Sequence, residues 1–161
     1  LNIKDVGFIH RIFPASKFIF VLRHPCDSVL SCFMNRFAMN NAMINFYTLS
    51  DTANFYNKIM LLWKQYITVL PIRYHTIKYE DIVENIETSI RPLIKFINLE
   101  WDKSVLNYKS TAQKRTIINT PSYSQVIKTV YKESNGRWKR YKKEMKSVYP
   151  ILEKWIKEFN Y

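Results

Sequence analysis

The sequence predicts an α/β domain in which parallel strands are flanked by helices and the C-terminal part is rich in helix. Two segments of strand length lie on either side of a long amphipathic helical pattern over 51–69: the apolar run 17–22, and the segment 72–78 with the aromatic Tyr74 and the β-branched Thr76 and Ile77. Helical patterns fill the stretch after residue 134. With 161 residues, 47% of them hydrophobic, the chain is long enough for one domain with a sizeable core.

The first predicted strand lies between two predicted helices. Apolar residues at helical spacing indicate a helix over 5–13, which ends before a proline. The run KFIFVL at 17–22 is apolar at nearly every position, which predicts a strand buried on both faces of a parallel sheet. The segment RHP at 23–25 ends this strand, and we expect a helix from Cys26 or Asp27 to about residue 36.

The remaining elements follow in order. We expect a loop over 38–50, a helix over 51–69, a strand over 72–78, a helix over 85–97, an irregular stretch over 98–120 with a short helix near 102–107, and helices over 134–146 and 148–159. Ser50 or Asp51 is the expected N-cap of the long helix, and Pro71 ends it.

Composition and charge limit the kinds of partner. Only Gly7 and Gly136 occur, so the chain cannot contain a glycine-rich phosphate loop. The net charge is +12: residues 1–102 hold 11 basic and 9 acidic side chains, whereas residues 103–161 hold 14 and 4. This asymmetry indicates an anionic partner for the C-terminal part, such as nucleic acid, a membrane surface or a polyanionic small molecule. A solvated basic face without a specific partner explains the composition equally well.

The cysteines and histidines predict neither a disulfide nor a metal site. Cys26 and Cys32 are six residues apart on one predicted helix and do not share a face, which favours a reducing compartment and a cytoplasmic location. His10, His24 and His75 lack ligand spacing. We also expect neither a signal peptide nor a membrane span.

The segment RHPCDSVLS at 23–31 is the strongest chemical pattern. Ligands of open α/β sheets bind beyond the carboxyl ends of the strands, where Arg23 is expected. The following helix presents its N-terminus to the same crevice, and Ser31 adds a hydroxyl. Together these groups predict a phosphate site with a bidentate arginine. A surface salt bridge of Arg23 and an incidental serine are the alternatives on these residues alone.

Four motifs resemble those of PAPS-dependent sulfotransferases, where PAPS is 3'-phosphoadenosine 5'-phosphosulfate. RHPCDSVLSCF at 23–33 resembles the 3'-phosphate motif, and KYEDIVEN at 78–85 resembles the strand-end segment whose tyrosine contacts adenine. NTPSYSQV at 119–126 resembles the adenine-side turn, and YKESNGRWKRY at 131–141 the final loop-and-helix motif. The motifs occur in family order over residues 1–145. The resemblance is strongest to a bacterial branch often fused to tetratricopeptide repeats and related to protein-tyrosine sulfotransferases.

The resemblance implies a partial P-loop-like three-layer fold, PAPS as sulfuryl donor, an acceptor hydroxyl and no metal. It implies these cofactor-binding residues: Arg23, Ser31, Tyr79, Thr120, Ser122, Tyr123, Lys132, Ser134, Gly136 and Arg137. Which of Lys132, Ser134 and Arg137 contacts the 3'-phosphate stays open, because the cytosolic branch carries two basic residues where this chain has Tyr131 and Lys132.

In the family, the 5'-phosphosulfate loop and the catalytic base precede the stretch that matches Leu1. We therefore expect residues 1–161 to be the C-terminal part of a single sulfotransferase domain, inactive alone and without an assignable base. Tetratricopeptide repeats are an expected upstream partner in a longer protein. A truncated remnant without catalysis and a basic nucleic-acid-binding module are the competing interpretations.

Overall fold

A computed structural model of the protein describes residues 2–35, 37, 40–107 and 135–161. Its elements, in chain order, are a 3-10 helix Asn2–Asp5, α1 Val6–Ile12, β1 Lys17–Leu22, α2 Pro25–Met34, a 3-10 helix Met43–Phe46, α3 Leu49–Val69, β2 Arg73–Lys78, α4 Tyr79–Glu84, α5 Ile86–Phe96, 3-10 helices Lys103–Asn107 and Arg137–Tyr141, α6 Lys142–Met145 and α7 Tyr149–Glu158.

The two strands of the described residues form a parallel pair, which confirms the predicted α/β class. They run in register from Lys17 opposite Arg73 to Leu22 opposite Lys78. The connection between them contains α2 and the 21-residue α3, because a parallel pair needs a crossover rather than a hairpin. The carboxyl ends of β1 and β2 therefore lie side by side at one edge of the sheet.

Helices pack on opposite faces of the sheet. Phe20 of β1 stacks on Trp63 of α3, with ring centroids 4.4 Å apart. On the other face, His75 of β2 stacks on Phe96 of α5 at 5.5 Å. Trp63 also meets Tyr74 of β2 edge to face at 5.2 Å. Side chains alternate between the faces of a strand, so α3 covers one face of the sheet and α5 lies on the other.

The outer face of β1, formed by Ile19 and Val21, is more exposed than the sequence predicts. Phe20 and Leu22 are 7% and 5% exposed, whereas Ile19 and Val21 are 45% and 59% exposed. Within the described residues, β1 is thus buried on one face only, and the prediction of burial on both faces was wrong there. The apolar run is compatible with a strand that is buried on both faces. However, α5 lies over β2 instead of over Ile19 and Val21.

The C-terminal helix packs against the front half of the chain. Leu152 of α7 is fully buried in one cluster with Val29 of α2. Trp155, also in α7, packs with Phe20 and Leu22, and its indole N–H donates to Asn57 Oδ1 of α3 at 3.0 Å. α7 therefore joins the two apolar clusters and holds the C-terminal segment close to the carboxyl end of β1.

Several helix boundaries differ from those expected. The helix predicted over 134–146 is not continuous in the described part of that range: Gly136 is left-handed, with φ 69°, a 3-10 helix follows it, and only the short α6 is α-helical. α3 begins earlier than expected, because the hydroxyl of Thr48 accepts the N–H of Asp51 at 3.0 Å and caps the helix. α2 begins at Pro25, with His24 as N-cap.

Two further findings concern the cysteines and the length of the helices. Cys26 and Cys32 are both free, as predicted. Over the described ranges, the structure contains no helix that is both long enough and apolar enough to cross a membrane.

Candidate anion-binding site

Arg23 and Tyr79 meet where the two strands end. Each directly follows the last residue of its strand, and those last residues, Leu22 and Lys78, are register partners. The guanidinium carbon of Arg23 lies 5.3 Å from the centroid of the Tyr79 ring, a cation–π distance. Both side chains were predicted to bind the cofactor, and the parallel register brings them to the same edge of the sheet. Tyr79 is the first residue of α4.

Glu80 ties this edge together. One carboxylate oxygen accepts the backbone N–H of His24 at 2.9 Å, and the other accepts the hydroxyl of Tyr161 at 2.8 Å. The Glu80 side chain thus joins the end of β1, the start of α4 and the last residue of the chain. Glu80 is not a helix cap, because α4 has Lys78 as N-cap and no side-chain cap hydrogen bond.

His24 lies at the centre of an aromatic group. Its ring stacks on Trp138 at 5.1 Å and meets Tyr161 edge to face at 5.2 Å. Its Nδ1 accepts the backbone N–H of Cys26 at 3.2 Å. Burial lowers the pKa of His24 below its usual value, an effect that Asp27 and Glu80 oppose. A neutral imidazole with Nδ1 as acceptor is the form that this geometry requires.

The N-terminus of α2 therefore offers fewer donors than the sequence suggested. Pro25 has no N–H, the N–H of Cys26 donates to His24 Nδ1, and that of Ser28 donates to the His24 carbonyl at 3.0 Å. An anion bound here depends more on side chains than on the helix end.

Ser31 shares a helix face with Ser28 and Cys32, which both interact with Arg23. Ser28, one turn earlier, donates its hydroxyl to the Arg23 carbonyl at 3.4 Å. Burial raises the pKa of Cys32, and the positive charge of Arg23 opposes that rise. Because residues three and four apart share a helix face, Ser28, Ser31 and Cys32 form one face next to Arg23. Ser31 itself is half-buried.

Asp27 connects α2 to the turn at residues 135–138, here called the Gly136 turn. Its carboxylate is 1% exposed. One oxygen accepts the N–H of Gly136 at 2.7 Å and the other accepts that of Trp138 at 2.8 Å. These bonds bring the predicted Gly136 and Arg137 to the first turn of α2. Arg137 lies between the two bonded amides and is exposed.

The remaining predicted site residues lie outside the described residues: Thr120, Ser122, Tyr123, Lys132 and Ser134. Sequence reasoning missed the organising roles of His24, Asp27 and Tyr161. His24 and Asp27 stand inside the RHPCDSVLS segment, so their position was a usable signal. Tyr161 carried no signal, because only the fold brings the last residue to Glu80. In the described part of the chain, no three His, Cys, Asp or Glu side chains are grouped to hold a metal ion.

Comparison with known proteins identifies the family. Residues 1–103 match the model of a family described as "Sulfotransferase family". A protein of Aquifex aeolicus (strain VF5) described as uncharacterized is 28% identical over 158 residues, which are 98% of this chain and 20% of that protein. Protein-tyrosine sulfotransferase 2 of Gallus gallus is 27% identical over 142 residues, which are 85% of this chain and 38% of the relative.

Protein-tyrosine sulfotransferase 1 of Danio rerio gives a similar result, with 26% identity over 145 residues that cover 84% of this chain and 39% of the relative. The chain thus spans about a fifth to two fifths of the length of these relatives. The family match covers well over half of the chain. Together with the strand-end geometry, it shows that the chain belongs to the sulfotransferase family.

Proposed function

We propose that this chain supplies the 3'-phosphate and adenine side of a PAPS site, for transfer of a sulfuryl group to an acceptor hydroxyl. Arg23 and Ser31 bind the 3'-phosphate, and Tyr79 contacts the adenine. The observation that carries the proposal is the pairing of Arg23 with Tyr79, 5.3 Å apart at the ends of neighbouring parallel strands. A nucleotide joins a dianion to an aromatic base, and an adjacent cation and ring match both groups.

The carboxylates near Arg23 have structural roles of their own. The carboxylate of Glu80 accepts from His24 and Tyr161, and that of Asp27 accepts from two amides. These hydrogen bonds hold the segments around Arg23 in place. The hydroxyl face of α2 lies beside the arginine, so a phosphate there receives a guanidinium and a hydroxyl together.

The rest of the proposed site extends along the chain. Besides Arg23, Ser31 and Tyr79, the proposal includes Thr120, Ser122, Tyr123, Lys132, Ser134, Gly136 and Arg137. The cations of the last described segment are exposed, namely Arg137, Lys139, Arg140, Lys142, Lys143, Lys146, Lys154 and Lys157. Such a surface suits an anionic partner of either class considered above, and membership of the sulfotransferase family favours PAPS over nucleic acid.

Replacing Arg23 with alanine tests the site. We expect Arg23→Ala to weaken binding of adenosine 3',5'-bisphosphate by about 2–3 kcal/mol, because a charge-assisted hydrogen bond at a desolvated site is lost. AMP lacks the 3'-phosphate, so its affinity should change much less. Isothermal titration calorimetry with both ligands measures the difference.

A matched control is available on the other strand. Arg73 is the first residue of β2, at the opposite end of the sheet, and donates to the Ala15 carbonyl at 2.6 Å. Arg73→Ala should leave bisphosphate affinity unchanged. Equal bisphosphate affinity of Arg23→Ala and the unsubstituted chain would mean that the site has been misplaced.

The chemistry sets a second expectation. Sulfuryl transfer needs in-line geometry, charge stabilisation at the transferred group and a base for the acceptor hydroxyl. We assign no base among the 161 residues, and no segment of them resembles the 5'-phosphosulfate loop. We therefore expect this chain alone to bind the bisphosphate weakly and to transfer no sulfate. Incubation with labelled PAPS and tyrosine-containing peptides checks this, since the Gallus gallus and Danio rerio relatives are protein-tyrosine sulfotransferases by name. Labelled peptide would overturn it.

Two finer expectations stay predictions: the cytoplasmic location, and the association with tetratricopeptide repeats in a longer protein. So does the extent of the domain, with residues 1–161 as the C-terminal part of a single sulfotransferase domain.

A further inference from the structure

Asp27 is a buried carboxylate, and both of its oxygens accept hydrogen bonds from a segment that is distant in the chain. It is 1% exposed, and Oδ2 and Oδ1 accept the N–H groups of Gly136 and Trp138 at 2.7 and 2.8 Å. Hydrogen bonds to an ionised acceptor are roughly twice as strong as neutral ones. A buried charge also requires such partners, so this contact fixes the backbone of the Gly136 turn against the first turn of α2.

The turn has a second anchor beside the first. The ring of Trp138 stacks on His24 at 5.1 Å, and His24 follows Arg23 in the chain. Gly136 adopts φ 69°, a conformation that side-chain-bearing residues rarely adopt. The residue between the two bonded amides is Arg137, which is exposed. Arg137 is therefore carried on a backbone held at Asp27 and at His24, close to the end of β1.

We propose that Asp27 is a positioning residue that places Arg137 beside Arg23 and Ser31 to complete the 3'-phosphate site, an inference that rests on the function proposed above. Asp27 does not touch the anion: a carboxylate repels a phosphate dianion, and both of its oxygens already accept hydrogen bonds. It acts by holding the turn, and the cation on the turn meets the phosphate.

The test measures 3'-phosphate recognition apart from overall folding. The ratio of the affinities for adenosine 3',5'-bisphosphate and AMP isolates the 3'-phosphate contact. Asp27→Asn keeps the shape of the side chain but loses the charge and one of the two acceptor oxygens. We expect this variant to lower the ratio about tenfold. Asp102→Asn is the control, because Asp102 also accepts a backbone N–H, from Ser104 at 2.6 Å, on an exposed segment after α5.

A double-mutant cycle shows whether Asp27 acts through Arg137. If it does, Asp27→Asn should lower the ratio in the parent chain and have almost no further effect in Arg137→Ala, because coupled positions are not additive. A full additional loss in the Arg137→Ala background would overturn the proposal, and so would an unchanged ratio in Asp27→Asn. A structural role alone predicts a lower free energy of unfolding with the ratio intact.

Two further variants, Arg137→Ala and Arg23→Ala, distinguish the possible outcomes. If Asp27→Asn does not fold, Arg137→Ala on its exposed turn decides: a parent-like ratio overturns the proposal. A tenfold loss, with slow hydrogen exchange at the Gly136 and Trp138 amides of the parent chain, supports it. If Arg23→Ala leaves the ratio unchanged, the proposed function itself fails. If Arg23→Ala lowers the ratio and Asp27→Asn leaves it unchanged, the positioning role of Asp27 fails but the proposed function stands.

Discussion

The inner and outer faces of β1 differ in ways that the apolar sequence of this strand conceals. Phe20 and Leu22 on the inner face are nearly inaccessible, whereas Ile19 and Val21 on the outer face are about half exposed. Just beyond β1 lies the strand-end cluster, formed by Arg23, His24, Tyr79, Glu80 and Tyr161. On the outer face, Lys17 contacts α5, where its Nζ lies 5.4 Å from the centroid of the Phe96 ring, but Ile19 and Val21 stay largely uncovered. Apolar side chains on the two faces of one strand therefore differ widely in burial.

The contrast separates two requirements of a binding site. The strand-end cluster has the contacts needed to orient its side chains: a carboxylate tie at Glu80, stacked rings around His24 and a cation–π pair at Arg23. These contacts come from segments as far apart as β1 and the last residue. Site geometry and coverage of the sheet are thus separate properties of this chain, and substitutions can test them separately.

The largest expected effect compares two aliphatic side chains of β1 that differ in exposure. Leu22→Ala should lower the free energy of unfolding by about 3 kcal/mol, because it removes a buried side chain and leaves a cavity between α3 and α7. Ile19→Ala should cost less than about 1 kcal/mol, since its side chain is already half exposed. Urea denaturation of the three proteins measures both differences.

Equal losses for Leu22→Ala and Ile19→Ala would break the comparison. They would mean that the outer face is covered in solution, for example by a second copy of the chain. Size-exclusion chromatography at several protein concentrations separates that case from a monomer, because an oligomer dissociates on dilution.

The sequence was sufficient for features set by local pattern. The apolar run at 17–22 and the proline that ends α3 predicted β1 and the long helix within a few residues. The resemblance to sulfotransferases implied that Arg23 and Tyr79 bind the same cofactor, and the parallel register brings them to the same edge of the sheet. Free cysteines followed from their separation along one helix.

Features set by tertiary contacts were out of reach. Nothing in KFIFVL distinguishes a strand covered on both faces from one covered on a single face, because coverage depends on where α3 and α5 pack. A left-handed Gly136 replaced an expected helix turn, since a turn bonded to Asp27 there outweighs local helix propensity. The Tyr161–Glu80 contact joins residues 81 positions apart, and no local pattern indicates it.

The smallest expected effect concerns pH and should be confined to the strand-end cluster. His24 Nδ1 accepts the N–H of Cys26 and must be unprotonated to do so. Burial lowers the pKa of His24 in the folded chain below the value of about 6.5 expected when unfolded. Between those two values the unfolded chain binds more protons, so stability is fully present above pH about 6.5 and is lost as pH falls through the folded pKa.

Urea denaturation between pH 7.5 and 5.5 measures this dependence while most carboxylates stay ionised. His24→Asn should flatten it, because an asparagine oxygen can cap α2 without titrating. Ile19→Ala on the outer face should keep the dependence of the parent chain. If His24→Asn retains the full dependence, the titrating group lies elsewhere and the imidazole does not act as the cap of α2. The cluster would then have to be held at α2 by Asp27 and Glu80 alone, which the Asp27→Asn variant examines independently.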